Sequence, residues 1–366
     1  MPGKTRHYFP GNNTPQGFFS YYGYILEQRD AEKIYCLKGG PGLGKSTFMR
    51  RIGETLVQEG EDVDFLHCSS DPDSLDGILV RNKRVAMIDG TSPHIVDPVN
   101  PGAVDTIIHL GDYWDEAGIR KNRQLVLDCG DHLKDHYARA YSYLAAAGSM
   151  HRGLHQIYDS HLNKPQLYKK AASIINRELT HKKLSPIPGT VRKQFASALT
   201  PKGPVNFIPG LMADASRVYL IQEPVGMSGD RLIRLFLESA LQRGYDAECY
   251  YCSMDPSEKP EHLYIPQIKI AFVSSNTFHP LSKADFEGKV TVIDMNKWID
   301  LSEDSVAKAH VDVMTELMND LIQKAFQCFR QSKQEHDLLE QAYIPNMDFS
   351  RLEPIQQKIL AEIRRI

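Results

Sequence analysis

Apolar residues along the chain fall into two alternating rhythms. Short continuous runs occur at Lys33–Lys38, Val63–His67 and 84–88, carrying Ile34, Tyr35, Cys36 and Leu37, then Val63, Phe65 and Leu66, then Val85, Ala86, Met87 and Ile88. They have the length and density of buried strands, and residues 106–110 form another candidate. Between the first two runs, Phe48, Met49, Ile52 and Leu56 recur at three- and four-residue steps within 46–59, which predicts an amphipathic helix. Strands alternating with helices predict an α/β fold, a mostly parallel sheet flanked by helices with right-handed crossovers. Further along the rhythm is helical only. Leu125, Cys129, Leu133, Tyr137, Tyr141 and Leu144 lie within 122–148, and Met314, Met318, Leu321, Ala325 and Phe329 within 311–329. These segments predict helical extensions that cap a sheet or pair two halves of the chain.

The pattern also repeats. Residues 33–72 read KIYCLKGGPGLGKSTFMRRIGETLVQEGEDVDFLHCSSDP, and 217–256, at an offset of 184, read RVYLIQEPVGMSGDRLIRLFLESALQRGYDAECYYCSMDP without a gap. Cys68-Ser69-x-Asp71-Pro72 meets Cys252-Ser253-x-Asp255-Pro256, and Phe9-x4-Thr14-Pro15-x-Gly17 recurs as Phe195-x4-Thr200-Pro201-x-Gly203. The chain's two tryptophans, Trp114 and Trp298, are also counterparts. One domain written twice is the simplest reading. The first copy is assigned to residues 1–184 and the second to 190–366, joined where Pro186, Pro188 and Gly189 punctuate the chain.

Composition narrows the class. Over 366 residues, 43 Lys+Arg oppose 46 Asp+Glu for a net charge of −3, so no basic footprint favours nucleic acid as the main partner. No apolar run reaches the length of a membrane span, and Met1–His7 does not read as a signal peptide. Six scattered cysteines form no disulfide framework. A cytoplasmic protein is expected.

The chemistry is concentrated at one turn. Gly39-Gly40-Pro41-Gly42-Leu43-Gly44-Lys45-Ser46 fits G-x-x-x-x-G-K-[ST], the Walker A pattern, between a strand and a helix. Glycines let successive N–H groups face an anion, and the helix start adds a positive dipole end. Lys45 would then reach the β/γ-phosphates and Ser46 would hold Mg²⁺, with Thr47 extending the polar rim. Val85-Ala86-Met87-Ile88-Asp89 has the Walker B form, and Asp89 would serve the same metal; its alternative is a turn-starting aspartate. The second half departs at Glu223-Pro224-Val225-Gly226-Met227-Ser228-Gly229-Asp230-Arg231. Either Gly229 or, with a one-residue slip, Asp230 stands for Lys45, and Ser274 or Ser275 stands for Asp89. An acid beside phosphate is unfavourable, so this copy reads as degenerate.

The segments FPGNNTPQGFFSYY, LKGGPGLGKSTFMRRIGE, LHCSSDPDSLDGI and IDGTSPHIVDP together resemble a family of bacterial tandem P-loop proteins described only as ATPases or ATP-binding proteins. The resemblance covers nearly the whole chain. It implies two P-loop NTPase domains with ATP and Mg²⁺ as ligands, and names no substrate.

Other candidates keep two readings. Asp71 and Asp73, with Ser69 and Ser70, could hold an acceptor hydroxyl or a water, or simply build a turn. His94 could sense a γ-phosphate or be a loop histidine satisfied by backbone. Asp112 and Asp115 are not separable. Cys249-x-x-Cys252 lies in a strand-like stretch without a second pair at zinc spacing, and Asp131, His132, Asp135 and His136 read as a solvated helix face. No N-K-x-D or LSGGQ-like motif marks a GTPase or a transporter ATPase.

The expected function is an ATP-binding, Mg²⁺-dependent ATPase active in its first half. Its second half packs against the first as an intramolecular pseudo-dimer partner, with Arg231 or Arg234 as the nearest arginines to assist. A kinase acting on a nucleotide or small-molecule acceptor fits the same residues. So does an ATP-gated switch that grips a protein partner with negligible turnover.

Overall fold

The computed structural model describes residues 1–91 and 96–366. Its two halves follow one plan. In the first, β1 (Thr5–Tyr8) leads to a hairpin of β2 (Gly11–Thr14) and β3 (Gly17–Ser20), then β4 (Lys33–Lys38), α1 (Lys45–Gln58), β5 (Val63–His67), β6 (Leu75–Val80), β7 (Val85–Asp89) and β8 (Asp105–His109). Helices α2 (Glu116–Lys121), α3 (Arg123–His161) and α4 (Lys164–Leu179) complete it. The second half repeats this with β9 (Val191–Gln194), β10 (Ser197–Thr200), β11 (Gly203–Asn206), a short α5 (Ile208–Leu211), β12 (Arg217–Gln222), α6 (Asp230–Leu241), β13 (Ala247–Cys252), β14 (Asp255–Ile265), β15 (Ile270–Ser275) and β16 (Lys289–Asp294). It ends in α7 (Ser305–Tyr343) and α8 (Leu352–Arg365).

The sheets have orders β1-β5-β6-β7-β4-β8 and β9-β13-β14-β15-β12-β16, strand for strand the same. This agrees with the α/β class and the duplication. Each sheet is parallel in most of its strands, as expected, but mixed: β6 and β14 run antiparallel to both neighbours. The link from β5 to β6 is only residues 68–74, too short for a crossover, so the chain must turn back. Leu75–Val80 had escaped the sequence reading, although all six of its residues are buried. The glycine in that strand, Gly77, breaks the apolar run; it lies where a Cβ would strike the Met87 carbonyl.

A pseudo-twofold axis relates the halves. Phe9 and Phe195 exchange backbone hydrogen bonds of 2.9 and 3.0 Å, and both rings are buried. Near them Arg6 binds Asp64 through two bonds of 3.0 Å within the first half, and Glu248 of the second half at 2.9 and 3.0 Å. Arg192, its counterpart, lies 3.6 Å from Asp64. Burial by itself would push the Asp64 carboxyl up, but Arg6, Arg192 and Arg81 more than reverse this and hold it below the usual range.

The helical extensions cross over. Helices α3 and α7, 39 residues each, pack against one another. Beyond them, α4 lies on α6 and α8 on α1, so each half's last helix covers the other half's sheet. Leu167, Ala171 and Ile174 of α4 share a core with Ile233 and Phe236, while Ile359, Leu360 and Ile363 of α8 share one with Met49 and Ile52. The repeat boundary at 184–190 is thus a boundary in sequence; in space residues 164–179 complete the second sheet and 352–365 the first. Among the described residues no helix is long and apolar enough to cross a membrane.

The two classes of ion pair between the halves should behave differently. Asp64→Ala leaves Arg6 and Arg192 without their shared partner in a buried setting, and its expected cost is about 3–5 kcal/mol of stability. Asp214→Ala removes only the exposed 2.7 Å pair with Lys4 and should cost less than about 1 kcal/mol. Urea unfolding of both variants beside the parent chain checks the contrast.

Candidate functional site

The 39–46 turn joins β4 to α1, which begins at Lys45. Gly42 and Gly44 have φ of 68° and 77°, a region costly for residues with a Cβ, and Gly44 is the N-cap of α1. Leu43 turns the other way, fully into the core beneath, and pins the turn. The Lys45 ammonium folds back over the turn, donating to the Gly39 carbonyl at 2.8 Å and the Gly40 carbonyl at 2.9 Å. It lies 3.5 Å from Asp89. This approach follows from the sheet: β4 and β7 are parallel neighbours with Leu37 opposite Asp89, so the turn and the carboxylate leave the same edge together.

Around them Ser46 Oγ accepts the Leu75 N–H at 2.9 Å, and Asp89 accepts the Thr91 N–H at 2.9 Å. Thr91, which the sequence reading passed over, donates its hydroxyl to the Gly39 carbonyl at 3.0 Å. Pro41 and Thr47 line the same cleft, of about 700 Å³. Asp71 and Asp73 reach it too. Asp71 builds the turn expected of it, accepting from the Asp73 N–H and the Ser74 hydroxyl at 3.2 and 3.1 Å. It also pairs with Lys333 at 3.3 Å. Asp73 pairs with Lys202 of the second half. His94 lies outside the described residues. Asp115 caps α2 and Asp112 pairs with His109, and neither lines the cleft. Cys249 and Cys252 are buried free thiols on β13, and burial pushes Cys249 up to about 12.

What the sequence did not reveal is the opposite wall. Ser332, Lys333, His336, Leu339 and Glu340 of α7 face the turn, with Ile344 and Phe349 just beyond. Close packing on the glycines follows: a Cβ on Gly40 would meet the Tyr343 ring, and one on Gly42 the Ile344 side chain. Burial pushes His336 below its ordinary value, and Lys333 and Lys45 add to the effect against Glu340. The one available signal was the spacing of Lys333, His336 and Glu340, which puts three polar residues on one helix face.

In the second copy the turn itself is bound by the chain's own side chains, and a cleft of about 670 Å³ lies beside it along Glu223, Pro224 and Ser275. α6 begins at Asp230, so its turn is one residue longer and Asp230, rather than Gly229, takes the place of Lys45. Ser274, paired with Ile221, takes that of Asp89. Glu223 accepts the Gly229 N–H at 2.8 Å, and Lys259, buried on β14, donates to the Met227 carbonyl at 2.9 Å. Arg231 is bound to Asp159 of α3 at 2.6 Å and Arg234 to Asp230 at 3.0 Å. Neither arginine reaches the cleft at Lys45, contrary to the role suggested for them. His279, the counterpart of His94, is buried 3.6 Å from Glu261.

No protein-family model, no curated protein and no solved structure matches this chain.

Glu223 gives a measurable signature. Burial pushes its carboxyl up to about 7, against 4.5 for the ordinary group, with Lys259 opposing. The folded chain therefore keeps a proton that the unfolded chain releases, and stability falls as pH rises from about 4.5 to about 7. At roughly 1.4 kcal/mol per unit this amounts to about 3 kcal/mol. Glu223→Gln should flatten the slope, so the variant should gain on the parent in urea unfolding between pH 5 and pH 8.

Proposed function

We propose that the cleft at residues 39–46 binds ATP with Mg²⁺ and hydrolyses it, the first half carrying the chemistry and the second acting as a built-in partner. The observation that carries this reading is the conjunction of Lys45 and Asp89, 3.5 Å apart where a glycine-rich turn enters a 14-residue helix. Backbone N–H groups and the helix dipole at that point favour an anion, and a cleft of about 700 Å³ has the capacity for a nucleotide. Phosphate oxygens are stronger acceptors than the two carbonyls that now receive the Lys45 ammonium, so the exchange is favourable.

The residues present also fit a hard cation. Ser46, after accepting from Leu75, retains a lone pair, and the Asp89 carboxylate retains acceptor capacity beyond Thr91. Oxygen donors of this kind suit Mg²⁺, which when bound neutralises charge on the phosphates. In the second half the Glu223 carboxyl group already takes a loop N–H and Asp230 heads the helix in place of a lysine, an arrangement that opposes a triphosphate.

Transfer of the phosphoryl group to a hydroxyl acceptor instead of water is a second reading. It is favoured by the polar side of the cleft, where Tyr137 donates to Ser70 at 2.8 Å beside Asp71 and Asp73.

Equilibrium binding and phosphate release test the reading together. Lys45→Ala should weaken binding of Mg²⁺·ATP by about 1.5–3 kcal/mol, or roughly 10- to 150-fold. Asp89→Asn should slow phosphate release and raise the Mg²⁺ concentration required. Label from ATP appearing on an added metabolite would mark a kinase, and tight binding without turnover would mark an ATP-gated switch. Failure of the parent chain to bind Mg²⁺·ATP would overturn the assignment.

A further inference from the structure

The charges lining the cleft are unequal. Five carboxylates, Asp71, Asp73, Asp76, Asp89 and Glu340, face three permanent cations, Lys45, Arg50 and Lys333. Lys45 belongs to the turn itself, and Arg50 is occupied with the Asp73 carbonyl at 2.5 Å. Burial, with Lys333 and Lys45 adding to it against Glu340 and Asp337, pushes His336 below its ordinary value, so it is not a permanent cation. That leaves Lys333, which projects from the C-terminal third of α7, a helix of the opposite half of the molecule. Its ammonium is shared between Asp71, at 3.3 Å, and Asp337 one turn along the same helix.

We propose that Lys333 is a catalytic cation donated across the pseudo-twofold axis, which leaves Asp71 to engage the terminal phosphate of the bound nucleotide. This rests on the nucleotide reading above. In hydrolysis the bond from the terminal phosphorus to the β–γ bridging oxygen breaks, its electron pair leaving on ADP. A water oxygen forms the new bond to phosphorus and passes its proton to the released phosphate or to solvent. Negative charge shifts onto the bridging oxygen and spreads over the terminal oxygens, where a positioned ammonium is worth most.

The present contacts of Lys333 are suited to exchange. Asp71 keeps the Asp73 N–H and the Ser74 hydroxyl when the ammonium departs, so it is not stranded. Asp337 is half exposed and loses little with its partner gone. A phosphate oxygen of a multiply charged group outcompetes either carboxylate as acceptor. Arg231 and Arg234 are tied to Asp159 and Asp230 at the other loop and do not compete for the role.

The test compares the full-length parent chain with Lys333→Met and Lys333→Arg. Steady-state phosphate release is measured for each, together with equilibrium affinities for Mg²⁺·ADP and a non-hydrolysable Mg²⁺·ATP analogue; thermal melts establish folding. Lys333→Met should lower kcat by about 10²–10³-fold, leave ADP affinity within about threefold, and fold normally. Lys333→Arg should recover part of the rate. A merely structural lysine would alter the melt or both affinities without this split. Parent-like kcat in Lys333→Met, with the parent active, overturns this proposal alone. A parent chain that binds no nucleotide overturns the functional reading beneath it.

Discussion

Neither sheet in this protein is closed by its own half of the chain. The C-terminal helix of the first repeat, α4, buries Leu167, Ala171 and Ile174 against the second sheet's layer, and α8 returns the exchange with Ile359, Leu360 and Ile363. Apolar faces of this size cannot be left in water, so the halves must assemble for either core to be complete. The exchange is symmetric because the sequence is duplicated, and the exchanged Phe9–Phe195 hydrogen bonds mark where the axis runs. The Arg6, Asp64, Arg192 and Glu248 cluster then fixes how the halves meet, since buried charges tolerate only arrangements that satisfy all of them.

That constraint dictates what each loop faces. Because α3 and α7 run side by side between the halves, α7 lies over the 39–46 turn and α3 over its degenerate counterpart. At the first loop the helix leaves a cleft lined by charged side chains. At the second, His155 reaches the Gly226 carbonyl at 3.2 Å and Asp159 takes Arg231, while Glu223 and Lys259 fill the turn from within. One scaffold thus holds an open turn and one whose backbone groups are taken by its own side chains, with a separate cleft of about 670 Å³ beside Glu223 and Ser275.

Local features were legible in the residues. The helix of 46–59, the strands at 33–38, 63–67 and 84–88, and the placement of Asp89 beside the turn were all readable because short-range periodicity and turn chemistry specify them. Leu75–Val80 was not: Gly77 interrupts its apolar run, and its antiparallel direction follows from a short connection rather than from composition. The one-residue slip that puts Asp230 at the place of Lys45 was open in the alignment and is decided by where α6 begins. Arg231 and Arg234 looked available for the opposite loop because proximity in sequence says nothing about which carboxylates surround them.

The amino-acid sequence by itself determined the duplication, the α/β class, the single complete G-x-x-x-x-G-K-[ST] turn and the acid that follows it on the neighbouring strand. All of these are encoded within a few turns or strands of the chain. Only the tertiary structure decided that the helical arms cross, that Lys333 and His336 belong to the cleft of the other half, and that Lys259 of β14 reaches the second loop. Those placements join residues separated by up to some three hundred positions. They are set by burial of apolar faces and compensation of buried charge across the whole molecule, which no local pattern of residues expresses.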